Sequence, residues 1–309
     1  MPFVIEGRRV DEPARPYVVA EISSNHQQDL GVARELIAAA AAAGADAVKF
    51  QTYRPEELAS ETRAPGAGDL TLRALMGSGL PYAWHADLAV IARDHQVAFL
   101  STPFGLDSAR FLVEEIGVPA LKIASGDLTY GPLLAYAAST GLPLIVSTGM
   151  ATMAEVQQMV ALHFLEVYQA QRLVLLHCVS TYPCPPEAVN LRAIATLREW
   201  FPYLAAVGWS DHTLDIDVIP ALAVAQGATV IEKHFCLTRQ GNASMDAGHS
   251  LEPNEFAEMV HVVRQIAGML GDGVKQPHVS EQHDRLWARR SPQDWLRPTE
   301  EARAHALSP

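Results

Sequence analysis

Lysine is scarce in this 309-residue chain: Lys49, Lys122, Lys233 and Lys275 are all of it, among 23 basic residues. Three of the four nevertheless fall within or at the end of apolar, strand-like runs, AVKFQ, LKIAS and TVIEKHF. A charge placed there is costly unless something compensates it. Other polar residues collect at the C-terminal ends of similar runs. They are Glu21 with Asn25 and His26; Gln51 beside Lys49; Ser101 and Thr102; Ser125 and Asp127 after Lys122; Ser180 and Tyr182; Ser210, Asp211 and His212; and Glu232 with His234. Lys49 and Lys122 with Ser101, Thr102, Ser125 and Ser210 have the makings of a cradle for phosphate or carboxylate oxygens, the lysines as point charges and the hydroxyls as donors. Lys122 could instead form a Schiff base. His212 and His234, with the carboxylates Glu21 and Asp127 nearby, suit a divalent ion such as Mn²⁺, Zn²⁺ or Fe²⁺. The other ten histidines, His85, His95 and His163 among them, fall in polar helix-like segments and read as surface residues.

These side chains need a scaffold that brings many strand ends together. Near-continuous apolar runs at 17–22, 47–51, 97–101, 121–125, 144–147, 173–178, 205–210 and 229–235 read as parallel strands covered on both faces. Helical periodicity fills the gaps, most clearly at 29–44, 154–171 and 252–270. Eight strands alternating with helices predict an α/β (β/α)₈ TIM barrel over residues 1–273, with a short polar tail over 274–309. A doubly wound sheet is the alternative, but EISSNH stands where its glycine-rich phosphate loop would be. Residues 54–80 read as a lid-like insertion after the second strand. STGM at 147–150 reads as a polar turn capping the next helix.

Strand parity then sorts TVIEKHF. Glu232 and His234 share one face and Lys233 takes the other. If His234 faces the barrel interior, Glu232 lies one layer deeper as a supporting carboxylate, and Lys233 points toward the helices and an acidic partner.

A net charge of −12 argues against nucleic acid as a partner. No run is long enough to span a bilayer and the N-terminus carries no apolar signal core, so the expectation is a cytoplasmic protein with no membrane partner. Cys178, Cys184 and Cys236 form no CxxC pair and read as unpaired thiols in a reducing compartment.

In order along the chain, EISSNH, GADAVKFQT, STPF, LKIASGD, STGM, LHCVSTYP, GWSDHT, EKHF and SLEP resemble the sialic acid (N-acetylneuraminate) synthase family over about residues 15–270. The resemblance implies a metal-dependent transferase that condenses phosphoenolpyruvate with an N-acylated hexosamine such as N-acetylmannosamine, giving a nine-carbon 2-keto sugar acid and phosphate. By motif it implies that His212 and His234 are the metal ligands, with manganese the expected ion and magnesium or cobalt as alternatives. It implies Glu21 as a base or water-orienting group and Asp127 in the position of a family acid. Lys49, Thr102, Lys122, Ser125 and Ser210 would hold phosphoenolpyruvate. Gln51, Tyr182 and Asp246 would contact the amino sugar, and Ser180 occupies a matching position in the strand-six turn. A homodimer is implied as well.

Two departures stand out. WARRS resembles the family's linker into a small C-terminal antifreeze-like domain, and only a short stretch follows it here. The sugar loop, QGNASMDAGHSLEP, keeps an aspartate four residues before SLEP but reads MDA where the family has PDH. Two other readings stay open beside the synthase: a metal-dependent pyruvate aldolase, and a catalytically silent sugar-phosphate-binding partner.

Overall fold

The computed structural model describes residues 3–58 and 78–306. Most of the lid-like insertion expected over 54–80 lies outside them; Pro55–Leu58 forms a single helical turn at its start. Eight strands make one parallel sheet: β1 (Tyr17–Glu21), β2 (Ala47–Thr52), β3 (Ala98–Pro103), β4 (Leu121–Ile123), β5 (Leu144–Ser147), β6 (Leu173–Cys178), β7 (Ala206–Asp211) and β8 (Val230–His234). Hydrogen-bonded ladders run β3-β2-β1-β8-β7-β6-β5-β4, and β3 lies against β4 to bring the ring round on itself. The fold is the expected α/β barrel, with helices between successive strands.

Alternation along each strand divides the core in two. Val18, Val48, Ile123, Val146 and Ile231 point outward and pack beneath the helices. Val19, Ala47, Leu100, Ile145, Val174 and Val230 point into the ring. An N-terminal hairpin, Val4–Ile5 paired antiparallel with Arg8–Arg9, adds Phe3, Ile5 and Val10 to that inner cluster. The N-terminal end of the ring is therefore plugged with apolar side chains. Gly208 on β7 is required by a close approach: a Cβ there would lie 2.3 Å from the Val230 carbonyl oxygen and 2.6 Å from Leu176 Cδ2. At the plugged end the buried carboxylate of Asp46 accepts from Arg8 (2.6 Å), Arg15 (2.8 Å), Arg264 (3.1 Å) and the Val18 amide (2.9 Å).

Toward the C-terminal ends the inward residues change character. The series run Val19–Glu21 on β1, Ala47–Lys49–Gln51 on β2, Leu100–Thr102 on β3 and Val230–Glu232–His234 on β8. The strands thus carry their own switch from packing to chemistry, and register aligns the switch around the ring. Glu21 pairs in register with both Lys49 and His234, and Ser210 with Glu232.

Residues 1–270 form one compact unit and 271–309 another, a division three residues earlier than expected. The second unit contains two short helices, Gln282–Ala288 and Glu300–Ala306, where the sequence reads only as a polar tail. Within it Arg303 pairs with Asp294, and Ser291 donates its amide to the Leu296 carbonyl.

The histidine expectation needs correction. His26, His85 and His249 are buried, whereas His95 is exposed. His85 opens the helix His85–Asp94 on its inward face. Its ring lies 2.6 Å from Thr52 Oγ1 through Nε2 and 3.1 Å from the Pro81 carbonyl through Nδ1, packed against Phe99 and Phe111. Burial lowers its pKa to about 4 from an ordinary 6.5. The fold thus favours the neutral ring, so this contribution is complete above about pH 6.5 and is lost as pH falls through 4, about 3 kcal/mol in full. Denaturant melts across that window should show stability falling with pH, and less steeply in His85→Gln; equal slopes would exclude His85 as a source.

Candidate active site

The polar ends of the strands enclose a cavity of about 330 Å³. Four charged side chains form its floor, all nearly fully buried: Glu21, Lys49, Lys122 and Glu232. Lys49 is ion-paired with Glu21 and lies 3.8 Å from Glu232, while its Nζ donates to Thr102 Oγ1 at 3.0 Å. Lys122 lies 3.3 Å from Glu232 Oε1 and donates to Ser147 Oγ at 2.7 Å. Ser210 Oγ donates to Glu232 Oε1 at 2.9 Å, and Gln51 Nε2 to Glu21 Oε1 at 3.1 Å. Glu232 is therefore the bridge between the two lysines, closer to the chemistry than the supporting place that parity alone gives it.

The two carboxylates differ in their environments. Burial works against the charge on Glu232, but Lys122 and then Lys49 outweigh it and hold its pKa at about 2. Burial pushes Glu21 up to about 7, aided by the nearby charge of Glu232 and opposed by Lys49. One carboxylate is locked as an anion, and the other is poised near neutrality as a proton acceptor. Burial lowers Lys122; for Lys49 it is outweighed by Glu21 and Glu232, and the net shift is upward.

Above the floor, Ser125, Gly126, Cys178, Ser180 and Met150 line the wall. Gly149 lets hydroxyls converge there, since a Cβ would sit 2.4 Å from Ser180 Oγ and 2.9 Å from Ser125 Oγ. The Gly149 amide donates to Ser125 Oγ at 2.9 Å, while Ser180 Oγ is buried without a partner. Ser147 faces inward to Lys122, so STGM does more than cap a helix; that helix takes its cap from Thr152.

At the mouth, Tyr182 tilts over His212 with ring centroids 4.1 Å apart. His212 Nδ1 lies 2.7 Å from the Val179 carbonyl, which sets the proton on Nδ1 and leaves Nε2 as the acceptor. Burial lowers His212 to about 4 and His234 well below its ordinary value, so both rings are neutral. The two centroids are 5.6 Å apart. His234 also belongs to a second group: one ligand atom each from His234, Asp246 and His249 lie within 4.8 Å of one another. His212 stands outside that group. Asp246, expected at the sugar, is not among the residues that line the cavity.

Asp127 departs from expectation too. The 3₁₀ turn Ser125–Asp127 turns Ser125 and Gly126 toward the cavity, and Asp127 is not on its wall. Burial raises its carboxyl to about 6. Lys233 points outward, as parity requires, to Asp211 at 2.8 Å and the Thr213 carbonyl at 2.6 Å. Two residues, Ser147 and His249, escaped the sequence reading. Ser147 was discoverable from its alternation with Ile145, and His249 only from the divergence of its loop.

Residues 36–275 match the NeuB family. The chain is 39% identical over 288 residues to the N,N'-diacetyllegionaminic acid synthase of Legionella pneumophila, covering 89% of this chain and 79% of that protein. A pseudaminic acid synthase of Campylobacter jejuni is 37% identical over 268 residues, covering 83% of this chain and 75% of that one. The crystal structure of N-acetylneuraminic acid (sialic acid) synthetase from Leptospira borgpetersenii in complex with citrate matches with a TM-score of 0.82 at 34% identity, covering 92% of this chain and 95% of that chain. By sequence and by fold, the chain belongs to the NeuB family of sialic acid synthase-like enzymes.

Proposed function

We propose that the protein condenses phosphoenolpyruvate with an N-acylated hexosamine, N-acetylmannosamine or a related sugar, to form a nine-carbon 2-keto sugar acid and phosphate. The observation that carries this reading is the floor of the cavity, where two buried lysines stand among hydroxyls directly below neutral histidines. A pyruvate aldolase has no need of the second lysine, and a silent binding protein has no need of a histidine pair suited to a metal.

Lys49 and Lys122, with Thr102, Ser125 and Ser210, bind the phosphate and carboxylate of phosphoenolpyruvate in this reading. Ser147 and Glu232 hold Lys122 in place. Gln51, Ser180 and Tyr182 face the sugar. C3 of phosphoenolpyruvate attacks the open-chain aldehyde carbon, a C–C bond forms, and the aldehyde oxygen takes up a proton. Water adds to the electron-deficient C2 and gives its proton to Glu21, which Gln51 orients. The hemiketal then loses phosphate by breaking the C2–O bond, and its hydroxyl becomes the keto group. Glu21 is favoured over Asp127 as the base because Glu21 lines the cavity.

The residues at the mouth fit a divalent ion. Neutral imidazoles and an ionised carboxylate are the donors that Mn²⁺ or Co²⁺ accepts, and His234 Nδ1 is buried without a partner. His234 and His212 would hold the ion. When bound, a divalent metal supplies Lewis-acid polarisation of the aldehyde oxygen. We place the enzyme in the cytoplasm as a homodimer; its three cysteines are buried and unpaired, in keeping with a reducing compartment, and no helix among the described residues is long and apolar enough to cross a membrane.

Phosphate release from phosphoenolpyruvate, measured with Mn²⁺ across a panel of amino sugars, should appear with at least one acceptor. Release with none, together with no metal-dependent binding of phosphoenolpyruvate, would end this reading. Lys122→Met should cost about 3–5 kcal/mol in denaturant unfolding because it strands Glu232, and at least about 100-fold in kcat/KM. Adding Glu232→Gln should recover most of the stability and little of the activity. Recovery of both would mean that Lys122 serves only the fold.

A further inference from the structure

We infer that Met150 determines which acceptor sugar is taken, by packing against a methyl group that the sugar carries on its acyl substituent or on a deoxygenated terminal carbon. The inference rests on the proposed condensation and names what its second reactant must present. Met150 lines the cavity, yet it is 73% exposed, so its side chain adds little to the core. Its backbone nevertheless lies in the left-handed region, with φ 64°. That conformation has a steric cost for any residue with a Cβ, and glycine or asparagine usually takes it. Among the described residues only Met150 and Trp295 hold an apolar side chain at a positive φ, and Trp295 belongs to the unit 271–309. A strained backbone that carries a side chain the fold does not use points to a ligand.

The turn that carries Met150 is pinned on both sides. The Thr148 amide and hydroxyl donate to the Leu176 carbonyl at 2.9 and 3.0 Å. The Gly149 amide donates to Ser125 Oγ, and the Ala151 amide closes the turn on the Thr148 carbonyl at 3.3 Å. Thr152 then caps the next helix. Met150 is therefore the third residue of a four-residue turn, where a positive φ ordinarily calls for glycine. The glycine stands one residue earlier, where the Ser180 and Ser125 hydroxyls leave no room for a Cβ. Ser147, from the same segment, donates no surface to the rim but holds Lys122 on the floor. One segment thus supports the phosphoenolpyruvate end of the cavity with Ser147 and presents a thioether to solvent with Met150. Most of the remaining lining is charge and hydroxyl, which suits the anionic reactant and the hydroxyls of a sugar. A flexible, polarisable thioether offers these groups nothing and suits an alkyl group.

The test takes the N-acetyl hexosamine that releases phosphate in the acceptor panel and compares it with two analogues, in the full chain and in Met150→Asn and Met150→Gly. One analogue is the N-formyl sugar, and the other differs only in having or lacking the hydroxyl on C6. One methyl in an apolar contact is worth about 10-fold in kcat/KM, so the wild-type chain should prefer the methyl-bearing member of one pair by about 10-fold, and both variants should bring that preference to within about 2-fold. The pair that shows the preference identifies which methyl Met150 meets. The KM for phosphoenolpyruvate should stay at its wild-type value, because the lysines are untouched. Asparagine accepts a positive φ, so the melting temperature of Met150→Asn should not fall, which separates a lost contact from a lost fold. A methyl preference that persists in both variants, or a wild-type chain with no preference in either pair, would overturn the inference while leaving the proposed reaction standing. A raised KM for phosphoenolpyruvate with the preference intact would make the turn a support for the floor and would overturn it as well. A wild-type chain that releases phosphate with no acceptor would end the proposed reaction and this inference together.

Discussion

The structure depends on burying four charges in the middle of a barrel without leaving any of them unanswered. Moving a carboxylate or an ammonium out of water costs several kcal/mol per ion even after relaxation. Glu232 makes this possible by standing between Lys49 and Lys122, with Ser210 taking one of its lone pairs and Ser147 satisfying Lys122. Everything around the quartet serves its geometry. Gly208 lets β7 and β8 close up beneath it, the apolar plug of Phe3, Ile5 and Val10 fills the ring below it, and register places Glu21 beside Lys49. The arrangement is worse for stability than an apolar core of the same volume would be. It is retained at the end of the strands where a ligand can replace one partner of each pair.

The mouth of the cavity is organised differently, through loops fastened to the barrel by amides. Asn25, on the loop after β1, ties the segment after β8 to Phe235 and Ser250, and Asn242 Nδ2 returns a bond to Asn25 Oδ1 at 3.1 Å. The loops after β1 and β8 are thus tied to one another. The Val179 carbonyl sets the tautomer of His212 from the loop after β6. Sites built this way can alter loop residues at the mouth while the floor stays as it is.

Much of this was legible in the sequence, for a physical reason. Strand parity is a covalent property of the backbone, so Lys233 could be separated from Lys49 and Lys122, and the eight apolar runs fall where β1–β8 do. Scarcity of lysine also carried weight, because a rare residue in a costly place is informative. What was not legible is what depends on distance across the ring or on loop conformation. Parity puts Glu232 inside but cannot say that it touches two lysines from different strands. His85 lies in a polar-looking helix, and its burial follows from which helix face packs on Phe99 and Phe111. Asp127 ends a 3₁₀ turn, where no simple period governs direction, and the helices within 271–309 come from a segment without a strong apolar pattern.

The apolar plug has a kinetic consequence. With the N-terminal end of the ring filled, the buried lysines lie deep in the cavity, whose lining also includes the exposed Tyr182 and Met150. In the proposed reaction, a reactant held by the lysines lies beneath one held at the rim, so it would bind first and the fragment the lysines retain would leave last. Turnover proposed for such a vessel is ordered by depth, and an anion lingering on Lys49 and Lys122 would compete with the first reactant to arrive and not with the second.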